Sequence, residues 1–218
     1  MSRFLIKKES VLNSLSSRGV DERTLIYLDA ISHTVSMIEI MFTRLIALLT
    51  KHTELIEDKD SRFHDTAMIE AWGIVDCLHR LRQILSSSSG IKKNVPWFQK
   101  FIRLLSVVED LRHFLQHYDR EIPMMDKNNS PIAGHLCWIE VKSSNVVEVI
   151  LIQPGRIKTG TLRCINPVDK PIHGPIDHIT FFLGKCSLDI SDLVRGLGDF
   201  IQGIEAYLQA EYSKRPES

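Results

Sequence analysis

The densest polar cluster in the chain is Glu109-Asp110-Leu111-Arg112-His113-Phe114-Leu115-Gln116-His117-Tyr118-Asp119-Arg120. Helical spacing sorts it into faces. Leu111, Leu115 and Tyr118 take an apolar face; Arg112, Gln116 and Asp119 share another; His113 and His117 stand one turn apart on a third. Arg112 and His117 therefore flank one solvent-side sector, and the long arginine reach is what can bring both to one phosphate. The chemistry open to such a pair is cleavage of RNA. RNA carries its own nucleophile, the 2′-hydroxyl, so a catalyst needs only a base and a stabiliser of phosphoryl charge. A neutral imidazole at His117 can take the proton, and the guanidinium of Arg112 can hold the phosphoryl oxygens as their charge grows. A protonated His117 would serve instead as acid or phosphate clamp.

The run Arg112-His113-Phe114-Leu115-Gln116-His117 resembles the signature of the HEPN superfamily, an Arg followed after four to six residues by a His, often with a polar residue after the Arg. The resemblance implies an α-helical bundle with the motif on a later helix. It also implies a homodimer that brings two motif copies into one cleft, and a metal-independent endoribonuclease. Arg112 and His117 would be catalytic, with His113, Gln116 and Asp119 supporting them. From the resemblance alone come the biological settings, bacterial defence or a toxin–antitoxin pair, and a protein antitoxin or regulator as partner. One departure is visible. Toxin members often carry a Tyr two places after the His; here that place is Asp119, and Tyr118 falls in phase with the apolar stripe. Two other readings stand beside the nuclease: a non-catalytic module of the same fold that binds RNA or protein, and an unrelated helical regulatory protein whose β segment holds a ligand.

A second feature points to nucleic acid. From Leu78 to Arg103 there is no acidic residue, while Arg80, Arg82, Lys92, Lys93, Lys100 and Arg103 occur with His79, Trp97 and Phe98. Such a stretch can hold phosphates and offer a stacking face, so Arg80, Arg82, Lys92 and Lys93 are expected to bind RNA. Basic residues at a helix end also complement its dipole, and Asp76 and Arg80 are spaced for an i,i+4 pair. His113 and His117 are spaced for two imidazoles on one ion, but Phe114 and Gln116 do not supply the other groups of a zincin helix. No metal and no cofactor are expected. His173 and His178 flank a Pro-rich loop and read as incidental.

Composition restricts the partners little. The 218 residues are 44% apolar and 25% charged, and formal net charge is zero, so any nucleic-acid surface must be a local patch. The four cysteines, Cys77, Cys137, Cys164 and Cys186, form no Cys-x-x-Cys pair and read as small buried hydrophobes in a reducing compartment. The apolar run at Phe4-Leu5-Ile6 is too short for a secretory segment, and Val35 to Leu49 is broken by Glu39 and Arg44. A cytoplasmic protein without a membrane span is expected.

The elements that must position these residues follow from periodicity. Asp21-Glu22 opens a helix faced by Leu28, Ile31, Val35, Ile38, Phe42, Leu45 and Leu49. Glu57 to Asp60 reads as a solvated link. A second helix, about Ser61 to Ser86, is faced by Ala71, Ile74, Leu78, Leu81 and Leu85, with Gly90 as a left-handed stop. Pro96 starts a third, striped by Trp97, Phe101, Leu104, Val108, Leu111, Leu115 and Tyr118 and stopped by Pro123. Strands are expected at His135–Val141, Val146–Ile152, Thr161–Ile165 and His178–Leu183, with a weaker signal at Lys185–Ile190. Turns are expected at Ser143-Ser144-Asn145 and Pro154-Gly155. Ser191 caps a fourth helix faced by Leu193, Leu197, Phe200, Ile204 and Tyr207, in which Gly196, Gly198 and Gly203 imply close packing. The expected architecture is α+β in one domain, 1–218. It is an antiparallel four-helix bundle of HEPN type, with a three-helix part at 21–123, a β-meander inserted at 132–190 and a fourth helix at 191–212.

Overall fold

Asp21 starts the first helix by capping it. Its carboxylate accepts the Thr24 hydroxyl at 2.7 Å and the Thr24 N–H at 2.9 Å, which satisfies a first-turn donor and holds the Asp21 carboxyl below its ordinary range. The computed structural model describes residues 5–6, 10–13, 20–54, 61–117, 119–120, 123, 131, 133–143, 146–154, 162–168 and 170–212. A short 3-10 turn at Val11–Asn13 precedes α1, Glu22–Glu54. There follow α2, Ser61–Ser87; α3, Pro96–Leu104; and α4, Ser106–Gln116. The β-rich part holds β1, His135–Ser143; β2, Val146–Ile152; β3, Ile176–Leu183; and β4, Cys186–Asp189. The last element is α5, Ile190–Tyr212. The protein is thus mixed α+β. The expected link at Glu57 to Asp60 and the turn residues Ser144, Asn145 and Gly155 lie outside the described residues.

The chain divides into two compact units, one of residues 1–40, 76–106 and 193–218, the other of 41–75 and 107–192. In the first, α3 and α5 run antiparallel. A side chain at Gly203 would meet Trp97 and one at Gly196 would meet Leu104, so the two helices are followed in opposite directions. Trp97, Phe98 and Phe101 all pack on Phe200, with Phe101 stacked at 4.4 Å between centroids. Gly90, three residues after α2 ends, has the left-handed backbone the sequence implies, at φ +78, and a Cβ there would lie 2.5 Å from the Thr24 hydroxyl oxygen. The glycine therefore serves both the turn and the close approach of α1.

In the second unit α1 and α2 are antiparallel partners: Met41 fills the space beside Gly73, and Arg44 reaches Glu70 at 3.9 Å. The sheet has the order β2-β1-β3-β4, every pair antiparallel. This is not the expected meander, because β3 pairs with β1 and leaves β2 at an edge. One sheet face packs toward Trp72, whose ring lies 6.2 Å from that of Phe181. On the other, Cys137, Ile139 and Phe182 form a buried cluster with Ile165 and Ile172, which come from the connection between β2 and β3.

The structure corrects four further expectations. The third helix is interrupted at Leu105: the Ser106 hydroxyl donates to the Arg103 carbonyl at 2.8 Å, and a new helix starts there. The break shifts the stripe, so Leu105 is fully buried and Leu104 is 38% exposed. Residues 162–165 are irregular rather than a strand, their backbone and side chains bonding to neighbours outside any ladder. The cap of α5 is Asp189, whose Oδ1 accepts the Asp192 N–H at 3.0 Å; the Ser191 hydroxyl accepts the Ile179 N–H instead. Finally, Glu22–Lys51 is long and apolar enough to cross a membrane by length and composition. Leu28, Ile31, Val35, Ile38, Leu45 and Leu49 of that helix are nevertheless at most 2% exposed, so the stripe is packed against protein.

Candidate functional site

Helix α4 ends at Gln116; Arg112 lies near its end and His117 is the first residue after it. Leu111 is fully buried and fixes which way the helix faces. Phe114 packs beside Gly184 in the β3–β4 turn, and a side chain at Gly184 would meet its ring at 3.0 Å. Anchored on these two sides, α4 leaves Arg112 and His117 half-buried and His113, Gln116 and Asp119 exposed. The rings of His113 and His117 lie 4.5 Å apart between centroids at an interplanar angle of 59°. The backbone of His117 is held at both ends, its N–H donating to the His113 carbonyl at 3.1 Å and its carbonyl accepting from Arg120 at 2.9 Å. The imidazole thus sits on a fixed turn, one helical turn from a second imidazole. The side chains of Leu115 and Tyr118 lie outside the described residues.

The basic stretch divides into residues with local bonds and exposed residues with looser contacts. Arg80 is bound to Asp76 at 2.8 Å, the i,i+4 pair foreseen from spacing. The Lys93 ammonium donates to the Ser86 carbonyl at 2.6 Å, closing the end of α2. Arg82 is half-buried. Lys92 is exposed, its ammonium 5.8 Å from the centre of the Tyr207 ring, and Lys100 stands 3.9 Å from Asp199. The aromatic residues of the stretch do not present a stacking face: Phe98 is buried, and Trp97 is packed on Phe200 and Gly203.

The histidines read as incidental are not alike. His173 is exposed, but the His178 side chain is buried within a β-bulge. Cys137 pairs with Thr180 and Ile139 with Asp177, so His178 and Ile179 together face Trp138. The bulge puts His178 at φ +50, a left-handed backbone that few non-glycine residues adopt. Its ring offsets that strain with two bonds, Nδ1 to Asp189 Oδ2 at 2.9 Å and Nε2 to the Pro171 carbonyl at 3.1 Å. Both partners are acceptors. Lys170 adds its ammonium 3.7 Å from the same Asp189 oxygen. Asp177 accepts the His173 and His178 N–H groups, and Val141 donates to the Pro175 carbonyl. These contacts strap residues 170–175 onto the sheet. No sequence periodicity announces them, because the bulge displaces His178 from the two-residue alternation.

His178, Asp189 and Asp192 also form the one set among the described residues whose ligand atoms, all within 4.8 Å of one another, could hold a metal ion. The hydrogen bonds already account for this grouping: Asp189 caps α5 with one oxygen and binds His178 with the other, and both imidazole nitrogens are engaged. Beside the strap lies an open groove of about 520 Å³, lined by Val141, Ser143, Val147, Ile172, Gly174 and Pro175.

A buried imidazole outside the expected set is His135. It stacks on Phe182 at 4.7 Å, and its Nε2 bonds to the Arg163 carbonyl at 2.8 Å. Burial pushes its pKa down, the Arg163 carbonyl opposes, and the Arg163 charge adds to the depression. No family model matches the chain, and no curated protein or solved structure matches it.

Proposed function

We propose that the chain is a metal-independent endoribonuclease of HEPN type. It would act as a cytoplasmic homodimer, free of the membrane, in bacterial defence or a toxin–antitoxin system with a protein antitoxin or regulator. The finer architecture of this reading is an antiparallel four-helix bundle carrying a β-rich insertion. The observation that carries it is the end of α4, where a half-buried Arg112 precedes by five residues a half-buried His117 held on a fixed turn against His113. In this reading a neutral His117 takes the proton from the 2′-hydroxyl, the oxygen attacks phosphorus, and Arg112 neutralises the phosphoryl oxygens. His113, exposed beside it, supplies a proton to the departing 5′-oxygen. Holding the imidazoles on a rigid helix end is the preorganisation such chemistry requires. Arg80, Arg82, Lys92 and Lys93 make the RNA contacts in this reading, with Lys92 ahead of Arg80 and Lys93, whose charges already have local partners.

The test is incubation of the purified protein with mixed RNA in chelator. Cleavage leaving a 2′,3′-cyclic phosphate, lost in His117→Ala, supports the reading. Intact RNA, or cleavage that requires an added divalent ion, overturns it.

A second reading has its own observation. The apolar groove beside the strap suits a binding role for the β-rich part, either a ligand or an RNA or protein contact in a chain without catalysis. Equal RNA binding by wild type and His117→Ala, with no cleavage by either, favours it.

A further inference from the structure

The two edges of the sheet differ. β4, at one edge, is four residues long; β2, at the other, is seven, and among the described residues no strand pairs with its outer side. Val146, Val147, Glu148 and Val149 are all exposed there. Edge strands are ordinarily guarded by lysine or proline, but Val146–Ile152 contains neither, and its one charge is Glu148. We propose that the β2 edge is a docking site for an extended segment of another protein, which adds to the sheet as a fifth strand and carries a basic residue between two apolar ones. This rests on the second reading above, a binding role for the β-rich part, and gives that role its partner.

The basic residue answers an imbalance of charge. Glu140 and Glu148 stand directly opposite each other in the β1–β2 ladder, an arrangement that is repulsive unless cations intervene. Among the described residues one ammonium serves both: Lys142 Nζ lies 2.7 Å from Glu140 Oε1 and 3.8 Å from Glu148 Oε2. Glu140 is 9% exposed, and its other oxygen, Oε2, is buried without a hydrogen-bond partner. Glu148 stands on the edge strand itself with its side chain half exposed. A cation brought opposite Glu148 by an added strand leaves Lys142 to Glu140, so that two carboxylates hold two cations.

The apolar neighbours follow from alternation. Val147 and Val149 point to the other face of the sheet, opposite Val141 and Ile139. There Val141 and Val147 line the open groove with Ile172 and Pro175. Residues flanking the basic one on an added strand therefore lie beside Val147 and Val149, next to that groove. Main-chain bonds along β2 supply affinity, and the alternating side chains supply specificity. A second copy of β2 matches this edge less well. The strand has no basic residue, and any two-fold antiparallel pairing sets Glu148 against itself or against an aliphatic side chain.

The experiment titrates the full chain with a fluorescent peptide, Thr-Ser-Val-Lys-Val-Ser-Thr, and with the same peptide bearing Glu in place of Lys, and follows amide exchange in each complex. The expected result is saturable binding of the Lys peptide, slowed exchange within Val146–Ile152, and affinity for the Glu peptide lower by about fivefold or more. Glu148→Lys, at an exposed site, should reverse the preference; if that variant does not fold, Glu148→Gln should abolish it. Failure of the Lys peptide to saturate by about 1 mM would overturn the proposal. So would equal affinity of the wild type for both peptides, or a preference unchanged in the folded variant. Slowed exchange at Ile172 and Gly174 with none in β2 would overturn the edge site and leave the groove its binding role. Self-association of the chain alone that protects β2 would overturn it in favour of a second copy.

Discussion

Trp97 occupies the space that any side chain on Gly203 would need: a Cβ there would lie 2.8 Å from its Cδ2 and 3.0 Å from its Cγ. The ring cannot withdraw easily, since it also packs on Phe98 and Phe200. Gly203→Ala therefore sets two effects against each other. Helix propensity favours alanine by about 1 kcal/mol, while forcing a methyl into a packed interface costs roughly 1–3 kcal/mol. Clash should win, with a net loss of about 1 kcal/mol, read from the urea midpoint. A gain in stability would show that α3 and α5 separate freely.

The α4 pair gives the sharpest functional test. His117→Ala and Arg112→Ala should each abolish cleavage, and Arg112→Lys should fail as well, because a point charge does not reproduce the guanidinium fork. Neither alanine variant should cost more than about 2 kcal/mol, as both side chains are half-buried rather than core. Leu111→Ala, at a fully buried position, should cost roughly 2–5 kcal/mol while sparing the chemistry of whatever stays folded. Melts and single-turnover cleavage on the same samples separate the two effects. His117→Ala unfolding as readily as Leu111→Ala would make the motif structural.

Lys92 and Lys93 should part company. Lys93→Ala removes the bond to the Ser86 carbonyl and should lower stability by about 0.5–1 kcal/mol. Lys92→Ala should leave the melt nearly unchanged but weaken RNA binding and reduce its salt slope by roughly one. Titrations at several salt concentrations check this, and an unchanged slope removes Lys92 from the RNA site.

Stability should fall on mild acidification because of His135. Burial lowers its folded pKa, so the unfolded chain takes up more protons. The contribution is complete above about pH 6.5, where the unfolded imidazole is neutral, and declines as pH drops toward the folded value. His135→Gln should flatten this part of the profile in denaturant melts from pH 7 to 5. An equally steep loss in the variant would assign the effect to other groups.

Periodicity made the long elements legible. The stripes of α1, α2 and α5 are buried nearly residue for residue, and β2 spans the expected residues 146–152. What escaped depends on local competition or on distant partners. A single hydroxyl, Ser106, ends α3 and moves the buried position from Leu104 to Leu105. The placement of β3 beside β1 rather than β2 is set by contacts far apart in sequence. For the same reason His178 looked incidental. The α4 motif was legible because helical spacing alone places Arg112, His113 and His117.

The order β2-β1-β3-β4 has a consequence for the growing chain. The β1–β2 hairpin can close as soon as Ile152 has emerged, but the second side of β1 has no partner until β3 is complete at Leu183. At ordinary synthesis speeds that interval lasts on the order of a few seconds, far longer than the microseconds in which a hairpin forms. Throughout it, Leu136, Trp138 and Ile139 lie on a strand with open backbone groups along one side. The nascent protein is therefore most vulnerable to pairing with another chain between the synthesis of β2 and β3, and a chaperone or a slow ribosome would have its largest effect there.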